Sequence, residues 1–120
     1  MSAKGVLNFR ETDPEVENGP VSAEKLISGN PQQQTENIYT SKSEKFFTGY
    51  WSSTKGKWHV NYDGEEEFCH LLEGEVELVD EEGRASRFKA GDRFTISAGF
   101  KGTWETIKDC RKLYVIALVG

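Results

Sequence analysis

From residue 37 to residue 119 the chain reads as one short β-prone stretch after another, each closed by turn residues, with no long helical pattern between them. This punctuation constrains the fold more than any other feature. The stretches are residues 37–41, 46–52, 58–62, 67–73, 75–79, 84–88, 93–96, 101–107 and 112–119. They are rich in aromatic and β-branched side chains, and several alternate apolar with polar. Lys55-Gly56, Asp63-Gly64, Gly83, Gly91-Asp92 and Ala98-Gly99 mark turns, and Asp80-Glu81-Glu82-Gly83 is an acidic hairpin turn. About nine short strands predict an all-β sandwich or barrel. Val76, Leu78, Phe88, Phe94, Ile96, Leu113, Val115, Ala117 and Val119 are the expected core.

Residues 1–36 differ. They hold all three prolines, Pro14, Pro20 and Pro31, and are rich in Asn and Gln. Residues 6–9 are expected to form a short strand or an arm packed on the body. Residues 22–29 read as about two helical turns, with Ser22 as N-cap and Gly29 as stop. The expected organisation is therefore an N-terminal arm with one short helix over residues 1–36 and a barrel over residues 37–120. A chain of 120 residues is one domain's worth and can build one core. The net charge of −5 repels phosphate backbones, so no nucleic-acid partner is expected. No basic amphipathic or long apolar segment points to a membrane, and no signal peptide is read at the start, so the cytoplasm is the expected compartment. Two cysteines, Cys69 and Cys110, make no disulfide framework, and Cys69 is expected as a buried thiol within a strand.

The chemistry concentrates in two segments. Glu67-Phe68-Cys69-His70-Leu71-Leu72-Glu73-Gly74 ends a strand on a glycine, and Gly91-Asp92-Arg93-Phe94-Thr95-Ile96-Ser97-Ala98-Gly99 opens another. Sixteen residues separate Gly74 from Gly91, enough for a tight hairpin and a return. These segments, continued by Phe100-Lys101-Gly102-Thr103-Trp104-Glu105, resemble the two motifs of the cupins. The wording is most similar to the small single-domain cupins grouped with the ethanolamine-utilisation Q protein and the ureidoglycine aminohydrolase-like cupins. The resemblance spans about residues 20–118. It implies an RmlC-like jelly-roll β-barrel and, as is common in the group, a homodimer.

Against the cupin pattern, Glu67 matches the motif glutamate, Gly74 closes the first motif, and Gly91 and Gly99 match the second. The histidines do not match. The first two fall at Val60 and Tyr62, or at Asn61 and Asp63 with the shorter spacing; the third falls at Gly102. Ser97 replaces the motif proline, Thr106 the asparagine, and Gly56 is the nearest glycine to the opening one. One of the four metal ligands implied by the resemblance remains. First-row divalent ions need several imidazole, carboxylate or thiolate ligands converging on one point, so no metal and no cofactor is expected. The aminohydrolase chemistry is metal-dependent in the family, so manganese-dependent ammonia release from ureidoglycine is not expected.

The expected site is a metal-free pocket for a small-molecule ligand, lined by Val60, Tyr62, Glu67, Cys69, Gly102 and Trp104. Strand alternation puts Glu67, Cys69 and Leu71 on one face. Glu67 is the best candidate for acid–base catalysis or for a hydrogen bond to ligand; the alternative is a structural glutamate bonded to a Trp or Tyr. Tyr62 and Trp104 suit a ligand wall or a filled barrel. Trp51 and Trp58 read as core or interface, Glu65 and Glu66 as solvated turn residues, and His59 and His70 as outer-face or dimer-contact residues. Cys69 lacks a base that would make it a nucleophile. Two functional classes remain: a protein binding a small polar metabolite, with or without catalysis, or a non-catalytic regulatory or dimerisation module.

Overall fold

The structure, a computed structural model, describes residues 3–119. They form nine strands and, among the described residues, no helix: β1 (Glu15–Pro20), β2 (Leu26–Gly29), β3 (Gln32–Thr40), β4 (Phe46–Ser53), β5 (Gly56–Asn61), β6 (Glu65–Asp80), β7 (Ala85–Lys89), β8 (Arg93–Ile96) and β9 (Lys101–Leu118). All pairings are antiparallel. The expected all-β architecture is therefore present.

Two long strands organise it. The C-terminal half of β9 lies between β4 and the N-terminal half of β6, whose other edge holds β8. The N-terminal half of β9 lies between β5 and the C-terminal half of β6, whose other edge holds β7. One continuous sheet thus curls into two halves that share β6 and β9. Side chains of both halves meet in one core that includes Trp58, Cys69, Leu71, Val76, Leu78, Ile96, Trp104 and Cys110.

The bend in β6 is written in its register. Pairing with β9 slips between Leu71 and Val76, around Gly74, whose φ is +88°. A Cβ at Gly74 would strike the Asp109 carbonyl oxygen, so the two backbones cross there only because a glycine is present. The slip exchanges inward parity: Glu67, Cys69 and Leu71 point inward before it, Val76 and Leu78 after it. The two stretches expected as separate strands, 67–73 and 75–79, are one strand bent at this bulge. Likewise 101–107 and 112–119 are one strand, β9.

Three further expectations are corrected. The helix over residues 22–29 is absent. Leu26 N donates to Ser22 O at 3.1 Å, one turn forms, and residues 26–29 then become β2 on the edge of β5. Two helical turns are too few to hold without tertiary support, and the open edge of β5 offers backbone partners. The sheet starts at Glu15, so β1, β2 and the first half of β3 lie within the stretch read as arm; residues 6–9 form no strand, and Phe9 packs edge-on against Tyr50 at 5.7 Å. In β9 the inward side chains are Trp104, Thr106, Cys110, Lys112 and Tyr114, while Leu113, Val115 and Ala117 face outward, half buried, and Val119 is exposed. Apolarity alone selects the wrong face of this strand, because its inner face carries the polar chemistry.

Gly102 shows how tightly β6 and β9 approach. A Cβ there would collide with the Val79 carbonyl oxygen and lie 3.1 Å from the Asp80 Cα. Gly102→Ala is expected to lower stability by about 1–3 kcal/mol, the cost of overpacking. Gly19→Ala, on β1 with open space around its Cβ position, should change stability by less than about 0.5 kcal/mol. Urea midpoints of the two variants measure the difference.

Candidate functional site

The inward face of the sheet carries a buried charged cluster. Glu67 on β6 and Lys112 on β9 are each about 4% exposed. Lys112 Nζ lies 2.8 Å from Glu67 Oε2. Tyr62, just past β5, donates its phenol to Glu67 Oε1 at 2.7 Å. The Lys112 ammonium also sits over two indoles, 4.6 Å from the Trp51 ring centre and 4.5 Å from that of Trp104. Desolvating an ion costs several kcal/mol. Here an opposite charge, a phenol and two ring faces offset that cost, each desolvated cation–π contact contributing about 2 kcal/mol.

The sequence folds this way because alternation brings each group to the interior. Trp51 on β4 is opposite Lys112, and Trp58 on β5 is opposite Trp104. Trp51 meets Trp104 edge-on at 5.4 Å, and Trp58 stacks on Trp104 at 6.4 Å. Trp104 Nε1 donates to Thr106 Oγ1 at 3.0 Å, and Thr106 donates to Ser53 Oγ at 3.3 Å. This chain of polar contacts locks the indole against which Lys112 rests.

The electrostatics follow from burial. Desolvation pulls Lys112 towards its neutral form, but the acidic groups of Cys69, Glu67 and Tyr62 around it outweigh burial and leave its pKa above the ordinary value. Burial pushes the Tyr62 phenol upward, against Lys112 and with Glu67, so Tyr62 is a neutral donor. Burial likewise pushes the Cys69 thiol up to about 12; the Lys112 charge opposes this and Glu67 reinforces it. Cys69 is fully buried and free, as is the buried Cys110. A thiol that burial holds protonated is not a nucleophile.

The cluster opens on a cavity of about 380 Å³. Val60, Tyr62, Glu67 and Trp104 stand on its wall. Cys69 and Gly102 do not: Cys69 is buried in the core, and Gly102 faces β6, wedged against Val79. Residues not assigned to the pocket complete it. Lys112 lies at its floor, with Trp51 and Trp58 beside it and Glu65 and His59 nearer solvent. Glu65 is half-buried wall, not a solvated turn, and desolvation, then the Glu67 charge, raises its pKa. Lys112 was legible in principle: Trp104 and Thr106 set the even parity of β9, and counting on by twos reaches residue 112 on the inner face.

The cupin resemblance implies a metal, and the donor set does not fit one. Val60 and Gly102 offer no ligand atom, Tyr62 is a protonated phenol, and both Glu67 oxygens are engaged. Among the described residues no three His, Cys, Asp or Glu side chains converge.

Residues 40–114 match the family model described as EutQ-like cupin domain. No curated protein matches the chain in sequence. Among solved structures, a protein of unknown function of the DUF861 family from Pseudomonas syringae pv. tomato superposes with a TM-score of 0.76 at 24% identity, over 90% of this chain and 46% of that one. The chain thus spans about half the length of that relative. A putative ethanolamine utilization protein Q from Salmonella typhimurium gives 0.65 at 17% identity, over 89% of this chain and 98% of that one. The Clostridium difficile EutQ protein gives 0.66 at 15% identity, over 82% and 74%. At these identities the structures establish the cupin barrel and nothing finer.

Two measurements check the cluster. Glu67→Gln or Lys112→Met alone leaves one buried charge unpaired and should cost about 3–5 kcal/mol, while the double variant should recover much of that loss; chemical denaturation gives the cycle. Both buried thiols should resist a thiol reagent near pH 8 until denaturant is added. Alkali should destabilise the fold. The Cys69 thiol ionises from 9.0 in the unfolded chain but only near 12 when folded, so stability falls as pH rises through that window. The Lys112 contribution, full below its ordinary 10.5, is lost at higher pH still. A midpoint flat from pH 8 to 11 would contradict this.

Proposed function

This chain belongs to the EutQ-like cupin family, and on that premise we propose that it binds a small polar metabolite in the cavity above Glu67, without a metal. The observation that carries this reading is the buried Glu67–Lys112–Tyr62 cluster, which opens on the cavity instead of being sealed in the core. A fully structural ion pair gains nothing from a cavity beside it. A cavity with a few fixed polar groups among aromatic side chains has the form of a ligand site.

Glu67 acts in this reading as an anchor. Its oxygens accept from Tyr62 and Lys112 and retain lone pairs for a ligand donor. Proton transfer by Glu67 would first need one of those contacts to break, so binding ranks ahead of catalysis. Two reduced thiols fit a reducing, cytoplasmic setting.

A second reading, dimerisation, is favoured by the outer face of the sheet. Phe68, 37% exposed, pairs with Val115 on β9; Phe46, 41% exposed, pairs with Ala117 across the same strand. Leu113 lies between Tyr50 and His70 on that face. We propose a homodimer through this surface, which uses the opposite side of the sheet from the cavity and leaves the site free.

Three tryptophans border the cavity, so occupancy should change indole fluorescence. Titrating a chemically broad set of small polar metabolites should give saturable changes for at least one class. Glu67→Gln should weaken that binding about tenfold or more, the loss of at least one charge-assisted hydrogen bond. A set that leaves the fluorescence flat, or affinity unchanged in Glu67→Gln, would defeat the ligand-site reading. Phe68→Asp should convert a dimer to a monomer by light scattering without altering ligand response.

A further inference from the structure

The mismatch between the fold's metal motif and the residues present has a specific form. Glu67, the one retained ligand, is not left bare. A side chain further along β9, beyond both motifs, brings a cation to it: Lys112 Nζ, 2.8 Å from Oε2. A metal–carboxylate bond is about 2.0–2.2 Å long, so a divalent ion on the same oxygen would share a desolvated space with an ammonium at hydrogen-bond distance. Two like charges in that space repel strongly. The second vacated ligand position, Tyr62, is spent on the other carboxylate oxygen. The third, Gly102, carries no side chain and is pressed against β6.

An ammonium has three donors. One reaches Glu67, and the indoles of Trp51 and Trp104 flank the charge on its other sides. The group nevertheless lies on the cavity wall. The structure therefore offers a fixed positive charge with donor capacity left over, seated in an aromatic box that is already full.

We propose that Lys112 is a built-in cation that takes the place of the metal: it occupies Glu67 and presents its remaining N–H to an oxygen acceptor of the ligand, a carbonyl or carboxylate, while excluding ligand cations from the aromatic box. This rests on the cavity being a ligand site and names the class of molecule that it takes. A carbonyl or carboxylate oxygen finds a charge-assisted donor at the floor. An alkylammonium finds both rings already taken and a like charge beside Glu67.

The test exploits the size of the group removed. Lys112→Ala deletes a propylammonium unit, leaving Glu67 and the two indoles around an empty socket. In wild type, propionate or propionamide should perturb the indole signals and propylammonium should not. In Lys112→Ala the preference should invert: propylammonium should bind about tenfold or more tighter than to wild type and raise the melting temperature, and the response to propionate and propionamide should be lost. Adding Glu67→Gln to Lys112→Ala should abolish the rescue. Propylammonium binding to wild type, a folded Lys112→Ala that ignores it, or Mn²⁺ binding to wild type that Glu67→Gln removes, would each overturn the proposal. If Lys112→Ala does not fold even with propylammonium present, Lys112→Met combined with Glu67→Gln keeps the volume and removes both charges. That variant should fold and lose the propionate and propionamide response; retention would overturn the proposal. Should wild type ignore propionate and propionamide while other metabolites bind, the ligand class is wrong. Silence towards every molecule would instead defeat the ligand-site reading itself.

Discussion

The structure depends on a buried carboxylate and a buried ammonium that pair with each other, Glu67 and Lys112, 2.8 Å apart. Separately, each would be costly in a core this apolar. Together they are tolerable, because Tyr62 satisfies the second carboxylate oxygen and two tryptophans cradle the ammonium. The requirement is reciprocal. Three strands must deliver their side chains to one point, β4 with Trp51, β6 with Glu67, and β9 with both Trp104 and Lys112, while Tyr62 joins them from just past β5. A register slip in any of them would strand a charge, so the cluster adds to the apolar packing in fixing the alignment of the barrel.

Delivery depends on the backbone crossing at Gly74 and Gly102. Before the bulge, β6 turns odd residues inward and brings Glu67 to Lys112; after it, even residues face inward and Val76 and Leu78 fill the other half. β9 keeps one parity from Trp104 to Tyr114, so the same strand supplies the indole and the cation. Polar chemistry therefore gathers where the two halves of the sheet meet, and Phe88 and Phe94, stacked 3.9 Å apart, pack one flank of the apolar core.

Much of this is legible in the residues. Turn glycines and alternating stretches foretell the all-β fold, and the placement of Glu67, with Tyr62 and Trp104 beside it, follows from motif spacing and strand parity. What escapes does so for physical reasons. β1 is a polar edge strand, Glu-Val-Glu-Asn-Gly-Pro, whose pairing with β3 supplies what its composition lacks. β2 has helix-like wording that tertiary pairing overrides. Lys112 is hidden by an apolar neighbourhood: Leu113, Val115 and Ala117 look like core, so the eye assigns the lysine to solvent. Cys69 and Gly102 have the right parity, yet burial behind the wall removes the first and backbone contact the second.

Glu67 and Lys112 are far apart along the chain, and neither can be satisfied until β6 and β9 have paired over most of their length. Contacts of such long range are entropically expensive to assemble early. A cluster completed only at closure leaves the rate of folding nearly untouched and holds the finished barrel shut. Its effect falls on how seldom the native fold opens more than on how fast it forms.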